Sequence, residues 1–291
     1  MKIRVAGLNI DINHLENDCF TKRYEEYFHD FEKADMKINF KISNENVLPD
    51  GEVIFENQYY SARKTALGKC ETLISNNVPY ISIYNNKDYS KFDIIMSSRI
   101  KSRYIEQGRM EYFHAGFCFA KRLSMFGGIT FHSSSIVLDN NIGICFSAPS
   151  GTGKSTHANL WEKHFGKRVK IINDDKPAVI FKNDIPYICG TPWSGKNEKN
   201  HNIEVPLKAI VFISQDENNK ISRMSKTEAV IRLIEETINI TTEREVADKL
   251  LEGVNKLSYS VPVFMLKCNT EKEAAEVCYN KIMEEINENK E

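Results

Sequence analysis

The sequence predicts an α/β protein with a mixed sheet, preceded by a small β-rich N-terminal part, and three observations predict it. Residues 1 to about 104 consist of short strand-like runs broken by Asn, Asp, Pro and Gly turns. From about 105 onward, strand-like runs alternate with stretches whose apolar residues recur at helical spacing, as an α/β layering requires. Between the two patterns, "GICFSAPSGTGKSTHANLW" (143–161) carries an apolar strand-forming run straight into small residues, a lysine and a helical period.

Taken in order, the N-terminal runs are "KIRVAGLNIDI", "MKINFKI", "GEVIFE", "VPYISIY" and "FDIIMSS". They define an expected domain over 1–104, with the second domain over 105–291. His14 and His29 are isolated from the other histidines and read as surface residues rather than ligands. "KFDIIMSSRIKSRY" holds basic residues interleaved with Ile and Ser, which reads as a strand with a solvated end.

Residues 105–127 suit a helix, with Met110, Phe113, Phe117, Ala120 and Leu123 expected near one face and Gly127 and Gly128 ending it. "ITFHSSSIVL" follows as a strand, then a turn at Asp139–Asn141 and the strand Ile142–Phe146. After the helix that begins near Lys154, "VKIIN" is a strand ending in Asp174 and Asp175, and a hairpin is expected about Asn183 and Asp184. "LKAIVFIS" is a further strand. "SKTEAVIRLIEETI" opens with a Ser225-x-x-Glu228 capping box and carries Val230, Leu233, Ile234 and Ile238 as its apolar stripe. One more helix, the strand "VPVFMLKC" and a helix from about 271 complete the chain; the hairpins argue against a purely parallel sheet.

Composition bounds the function. The 291 residues are 41% hydrophobic with a mean hydropathy of −0.43, and the net charge of −1 comes from 39 basic and 40 acidic residues. No global field points to nucleic acid or to a membrane surface. No apolar run approaches the roughly 18 residues a membrane span needs. The seven cysteines form no CxxC pair, and with no signal peptide evident they read as reduced thiols of a cytoplasmic protein. A homo-oligomer is compatible with this composition.

The chemistry begins at Ser150, Gly151, Thr152, Gly153, Lys154, Ser155 and Thr156. A glycine turn between strand and helix lets backbone N–H groups wrap a phosphate chain, and the helix N-terminus adds partial positive charge. Lys154 reaches the outer phosphates and Ser155 can ligate Mg²⁺. The Walker A pattern G-x-x-x-x-G-K-[ST] is met except at its first position, where small Ala148 replaces glycine. ATP and Mg²⁺ are the expected ligands.

Three further pieces surround this loop. Asp174 and Asp175 end a strand 20 and 21 residues after Lys154, where one carboxylate can serve the metal and the other can take a proton from an attacking hydroxyl. His132, on the preceding strand-like run, is expected beside the phosphate strand if the hairpin through Asn140 forms. "GTPWSGKN" (190–197) reads as a shaped loop in which Lys196 can neutralise charge on a transferring phosphoryl group. In the same loop Trp193 either stacks on a substrate or fills the core.

These residues carry a resemblance. "FHSSSIVLDNNIGICFSAPSGTGKST" resembles the segment of phosphoenolpyruvate carboxykinases in which a histidine precedes a phosphate-binding loop, and the corresponding segment of the HPr kinase/phosphorylase family. "NDDK" is similar to the paired aspartates of both, and the likeness spans about residues 108–238. The resemblance implies that Lys154 contacts the outer phosphates, that Ser155 ligates metal, that Asp174 and Asp175 divide the base and metal duties, and that His132 lies near the metal or the transferring group; the expected division gives Mg²⁺ to Asp175 with Ser155 and the proton to Asp174. It implies a kinase that passes the γ-phosphoryl group of ATP to a hydroxyl, serine of a protein or peptide foremost. A small-molecule kinase, a carboxykinase-like enzyme and a nucleotide-binding regulatory module remain as alternatives.

Overall fold

The computed structural model describes residues 1–14, 21–98, 107–196, 198–238 and 243–288. It is mixed α/β, and the chain packs as two compact units, Met1–Met125 with Ile240–Ala247 and Phe126–Asn239 with Asp248–Glu291. This division does not coincide with a boundary at 104/105, because the helix expected to open the second domain groups with the first unit.

The first unit is an eight-stranded mixed sheet. Its strands are β1 (Lys2–Val5), β2 (Leu8–Asn13), β3 (Met36–Ser43), β4 (Glu52–Glu56), β5 (Tyr60–Thr65), β6 (Gly68–Ser75), β7 (Val78–Asn85) and β8 (Lys91–Ser97), in the order β1-β2-β3-β8-β7-β6-β5-β4. The parallel pairs β2/β3 and β3/β8 lie inside an otherwise antiparallel sheet. Five sequence runs foretell most of these strands. The polar β5 and β6 escape the pattern because buried Ser61, Glu71 and Thr72 break the expected apolar alternation. These polar groups are paired inside, for example Thr72 Oγ1 with Ser82 Oγ at 2.7 Å.

Two short elements differ from expectation. His14 is not a surface residue: its Nδ1 lies 2.8 Å from Glu111 Oε2 and its ring stacks on Phe40. His29 is exposed. Helix α1 is a single turn (Thr21–Tyr24), and α2 runs Gln107–Ser124. The buried face of α2 is only partly the one expected: Ala120 and Leu123 are buried. Phe113 and Phe117 are about 40% exposed, whereas Tyr112, Ala115, Cys118 and Phe119 face inward. Two charged side chains turn the helix: Glu111 is drawn in by His14 and Lys121 by Glu71, and an ion pair satisfied inside outweighs a pattern read from apolar residues alone.

The second unit is organised around one long strand. Its elements are β9 (Ile129–Thr130), β10 (Ser133–Leu138), β11 (Ile142–Ser147), α3 (Lys154–Phe165), β12 (Val169–Asn173), β13 (Ala178–Lys182), β14 (Ile185–Cys189), β15 (Glu204–Gln215), β16 (Lys220–Arg223), α4 (Lys226–Glu235), α5 (Arg244–Ser260, from Asp248 on), β17 (Val263–Cys268) and α6 (Lys272–Glu288). The start of β15 pairs antiparallel with β14, and the remainder pairs parallel with β11 and β17. One strand thereby joins the β9-β13-β14 ribbon to the β12-β10-β11 layer. The expected hairpins form, with Asp139 and Asn140 in the three-residue connection 139–141 and Asn183 and Asp184 in the two-residue one, all four in the left-handed region that tight hairpin turns favour. The capping box of α4 is present, Glu228 N–H donating to Ser225 Oγ and Ser225 N–H to the Glu228 carboxylate; of its predicted stripe, Leu233 is buried and Ile234 is exposed.

Trp161 from α3 packs with Phe146, Ile171, Phe264 and Cys278 in a core between α3, the sheet and α6. Apolar burial of this kind, about 25 cal/mol per Å², holds α3 against β11 and fixes the loop between them. All cysteines among the described residues are free and buried, and Cys19 lies outside those residues. Among the described residues no helix is long and apolar enough to cross a membrane.

Candidate functional site

The site follows from strand direction. β10 lies between β11 and β12 and runs antiparallel to both. The start of β10 therefore meets the ends of its neighbours, which gathers His132 just before β10, the loop after β11, and Asp174 and Asp175 just after β12. The pairing of β10 with β12 thus joins residues that the sequence holds more than 40 positions apart.

The loop from Ala148 to Gly153 turns through two glycines with φ of +83° (Gly151) and +115° (Gly153), a region costly for any residue with a Cβ. Nothing lies within 4 Å of where a Cβ would stand at either one, so the loop borders open space. Gly153 is the N-cap of α3 and provides no side-chain cap, so the helix's first N–H groups receive no side-chain acceptor there. This is the environment an anion completes.

Lys154 is 6% exposed, and its Nζ donates to the carbonyls of Ala148 (2.7 Å) and Pro149 (3.3 Å), folding the side chain over its own loop. Burial lowers its pKa, and the charges of Glu236 and Asp175 partly restore it. Ser155 Oγ is 3.3 Å from Ser134 Oγ, which also donates to the Asp174 carbonyl at 3.3 Å. The first hydroxyl of the helix is thus tied to the strand that bears the aspartates.

The two aspartates sit differently. Asp174 is buried, and its Oδ1 accepts the Gly195 N–H at 2.6 Å. A Cβ on residue 195 would stand 3.4 Å from both carboxylate oxygens, in ordinary contact, so the loop backbone packs directly against the Asp174 carboxylate. Asp175 is half-buried, with Oδ1 3.5 Å from His132 Nε2 and Oδ2 3.7 Å from Lys176 Nζ. Asn173 shapes the turn by accepting the N–H groups of Asp175 and Lys176 through Oδ1 and donating from Nδ2 to the carbonyls of Thr191 and Trp193.

Trp193 is 2% exposed and fills the core; as packed, it offers no ring for stacking on a substrate. Lys196, two residues beyond the Asp174 anchor's neighbour Ser194, is exposed. The structure therefore brings together His132, Lys154, Ser155, Asp174 and Asp175, and leaves Lys196 on the outside of its loop.

One residue of the cluster was invisible in the sequence. Glu236 caps the C-terminus of α4; its carbonyl accepts the His132 N–H at 2.8 Å and its Oε2 lies 3.2 Å from His132 Nδ1. His132 is held between two carboxylates, one on each ring nitrogen. No local pattern links positions 104 residues apart, and only the α4 capping box hinted at where that helix would end.

Among the described residues, no group of three or more histidine, cysteine or carboxylate side chains is gathered to hold a metal unaided. The hard oxygen donors of Ser155 and Asp175 suit Mg²⁺, which keeps several waters and shares its shell with substrate phosphates.

No family model matches the chain, and no curated protein does. Among solved structures, the Hpr(Ser) kinase/phosphatase from Coxiella burnetii aligns at a TM-score of 0.32 and 8% identity, over 55% of this chain and 94% of that one. A likeness of that size bears no weight for the site.

Proposed function

We propose that the protein is an ATP-dependent kinase that passes the γ-phosphoryl group to a hydroxyl, foremost serine in a protein or peptide. The observation that carries the reading is the convergence of an open glycine loop, with Lys154 and Ser155 at the head of α3, on the Asp174–Asp175 turn. The acceptor class rests on the resemblance of these motifs to the HPr kinase family.

In this reading the loop N–H groups and the α3 N-terminus bind the phosphate chain, and Lys154 exchanges its two carbonyl partners for the outer phosphate oxygens. Magnesium, when bound, neutralises phosphate charge, and Ser155 and Asp175 are the residues that would hold it. Asp174 takes the hydroxyl proton as the acceptor oxygen bonds to the γ-phosphorus and the bond to the β-phosphate oxygen breaks, releasing ADP. Its Oδ1, fixed by Gly195 N–H, keeps the carboxylate oriented. His132, held by Glu236, positions Asp175. Lys196, exposed on the outside of the same loop, would reach the transferring group only by turning inward.

The test is to incubate the purified chain with γ-labelled ATP, Mg²⁺ and a cell extract and to locate the label by mass spectrometry. Label on serine supports the reading. Label on a metabolite would make the protein a small-molecule kinase, and no transfer to any acceptor would contradict kinase activity.

A further inference from the structure

Asp174 is tied to the phosphate-loop helix at two heights. At the head of α3, Ser134 Oγ lies 3.3 Å from Ser155 Oγ and donates to the Asp174 carbonyl. Farther along the helix, the arm that returns from the 190–197 loop makes a second link. His201 N–H donates to the Ile172 carbonyl at 2.8 Å and Asn200 bridges to Asn173, so this arm runs antiparallel beside the end of β12. The Asp174 N–H donates to the Lys199 carbonyl at 3.2 Å. Both peptide groups of Asp174 are thereby fixed, the carbonyl to Ser134 and the N–H to Lys199.

The Lys199 side chain completes the second link. Its Nζ donates to Asn159 Oδ1 at 2.8 Å and to Glu162 Oε2 at 2.7 Å, two residues that their spacing of three places on one face of α3. Its main chain holds Asp174 while its ammonium grips the helix. The same arm also holds the loop: Asn200 Nδ2 donates to the Pro192 carbonyl at 2.8 Å and to Ser194 Oγ at 3.3 Å, next to the Gly195 N–H that Asp174 Oδ1 accepts. Backbone and carboxylate of Asp174 thus share one scaffold, which Lys199 joins to α3. Stability explains little of this arrangement, because side-chain exposures of 35% for Lys199 and 41% for Glu162 leave the pair in high dielectric, where ion pairs contribute little. Position matters far more: a shift of about 1 Å in a reacting group can cost about a hundredfold in rate.

We infer that Lys199 is a positioning residue that couples the occupied glycine loop to the Asp174 carboxylate. A nucleotide that orders the head of α3 also orders the 198–201 arm, through Asn159, Glu162 and Lys199, and with it the direction in which Asp174 faces the acceptor hydroxyl. Without the ammonium, the arm keeps its main-chain pairing to β12 but loses its hold on α3, and the Asp174 turn pivots on the Ser134 end alone. The effect falls on the chemical step rather than on nucleotide affinity, because Lys199 bonds α3 beyond the glycine loop and leaves Lys154 and Ser155 in place.

This inference rests on the kinase reading, and two measurements on the full chain separate them. Lys199→Met removes both donors at similar volume, whereas Lys199→Arg keeps donors within reach of Asn159 and Glu162. With γ-labelled ATP and a cell extract as acceptor source, label transfer per folded molecule at saturating ATP should fall about tenfold or more in Lys199→Met. The ATP concentration for half-maximal rate should stay within about twofold of the parent and the melting temperature within about 4 °C, with most of the rate regained in Lys199→Arg. Hydrogen exchange gives a readout that needs no transfer: Mg²⁺–ATP should protect 148–157 and 198–201 in the parent, and 148–157 alone in Lys199→Met. A parent that transfers no label yet shows both protections ends the kinase reading and leaves the coupling standing. An unchanged transfer rate per folded molecule in Lys199→Met, or protection of 198–201 that survives the substitution, overturns the coupling. No protection anywhere in the parent overturns the glycine-loop reading and this inference together. Should Lys199→Met fail to fold, Glu162→Met cuts the same link from the helix side and carries the same expectations.

Discussion

Each unit buries a lysine among carboxylates, and the two do it in opposite ways. In the first unit Lys121 and Lys69 both pair with Glu71; Lys69 also reaches Glu243 at 2.9 Å, and Glu243 accepts the Tyr89 hydroxyl at 2.6 Å. Burial alone would push the Glu71 pKa up, but the two ammonium groups override it and hold it below the usual carboxylate value. This cluster is closed on itself. In the second unit, among the described residues, Lys154 Nζ bonds only carbonyl oxygens, and the Asp175 carboxylate stays 3.5 Å from His132 Nε2 and 3.7 Å from Lys176 Nζ. Charges matched to each other hold a fold together, whereas charges spaced apart beside an open loop wait for a ligand.

The largest effects should come from the same substitution made in both places. Lys121→Met leaves Glu71 buried with one cation fewer and should cost about 3–5 kcal/mol of stability while leaving ATP affinity unchanged. Lys154→Met breaks two hydrogen bonds to a surface loop and should change stability by less than about 1 kcal/mol while abolishing transfer. Denaturant melts beside ATP titrations check both. A Lys154 variant that unfolds, or a Lys121 variant that loses ATP, would erase the contrast.

Next in size are the two aspartates. Asp174→Asn still accepts the Gly195 N–H through its amide oxygen, so it should keep Mg²⁺–ATP binding and lose roughly a hundredfold or more in kcat. Asp175→Asn should raise the Mg²⁺ concentration needed for half-maximal rate and lower the rate as well. Identical defects in both variants would dissolve the proposed division between base and metal ligand.

A smaller effect is shared by the units and sharpens what is specific to each. Burial lowers the pKa of His157 in the second unit to about 4, and burial followed by the Lys121 charge does the same for His114 in the first. A histidine with a depressed folded pKa stays neutral while the unfolded chain takes up a proton, so stability falls as pH drops from about 6.5 to about 4. His114→Gln and His157→Gln should each flatten that slope in melts across this range. The smallest effect should be that of Lys196→Ala, an exposed change expected to lower kcat by no more than about tenfold without moving the melting temperature. A silent variant removes Lys196 from the reaction.

What could be read from the sequence was local. The glycine loop, the hairpin turns and the capping box each lie within a few residues, and propensity and spacing determine them. What escaped depended on distant partners. β5 and β6 look unlike strands until the hydrogen bonds of Ser61 and Thr72 are known, and α2 presents the wrong face until Glu71 claims Lys121. The fate of Trp193 was undecidable from a loop of small residues, because its burial depends on Asn173 tying that loop down from another strand. Glu236 became visible only as a carboxylate beside the His132 ring.

Hydrogen exchange of the full chain with and without Mg²⁺–ATP tests the contrast between the units most directly. The prediction is strong added protection in peptides covering 148–157, with smaller gains around 132 and 174–175, and no change at 69–71 and 121 in the first unit. Protection that is absent from the 148–157 loop, or that appears equally around Glu71, would contradict the assignment of the open cluster to a nucleotide and the closed one to the fold.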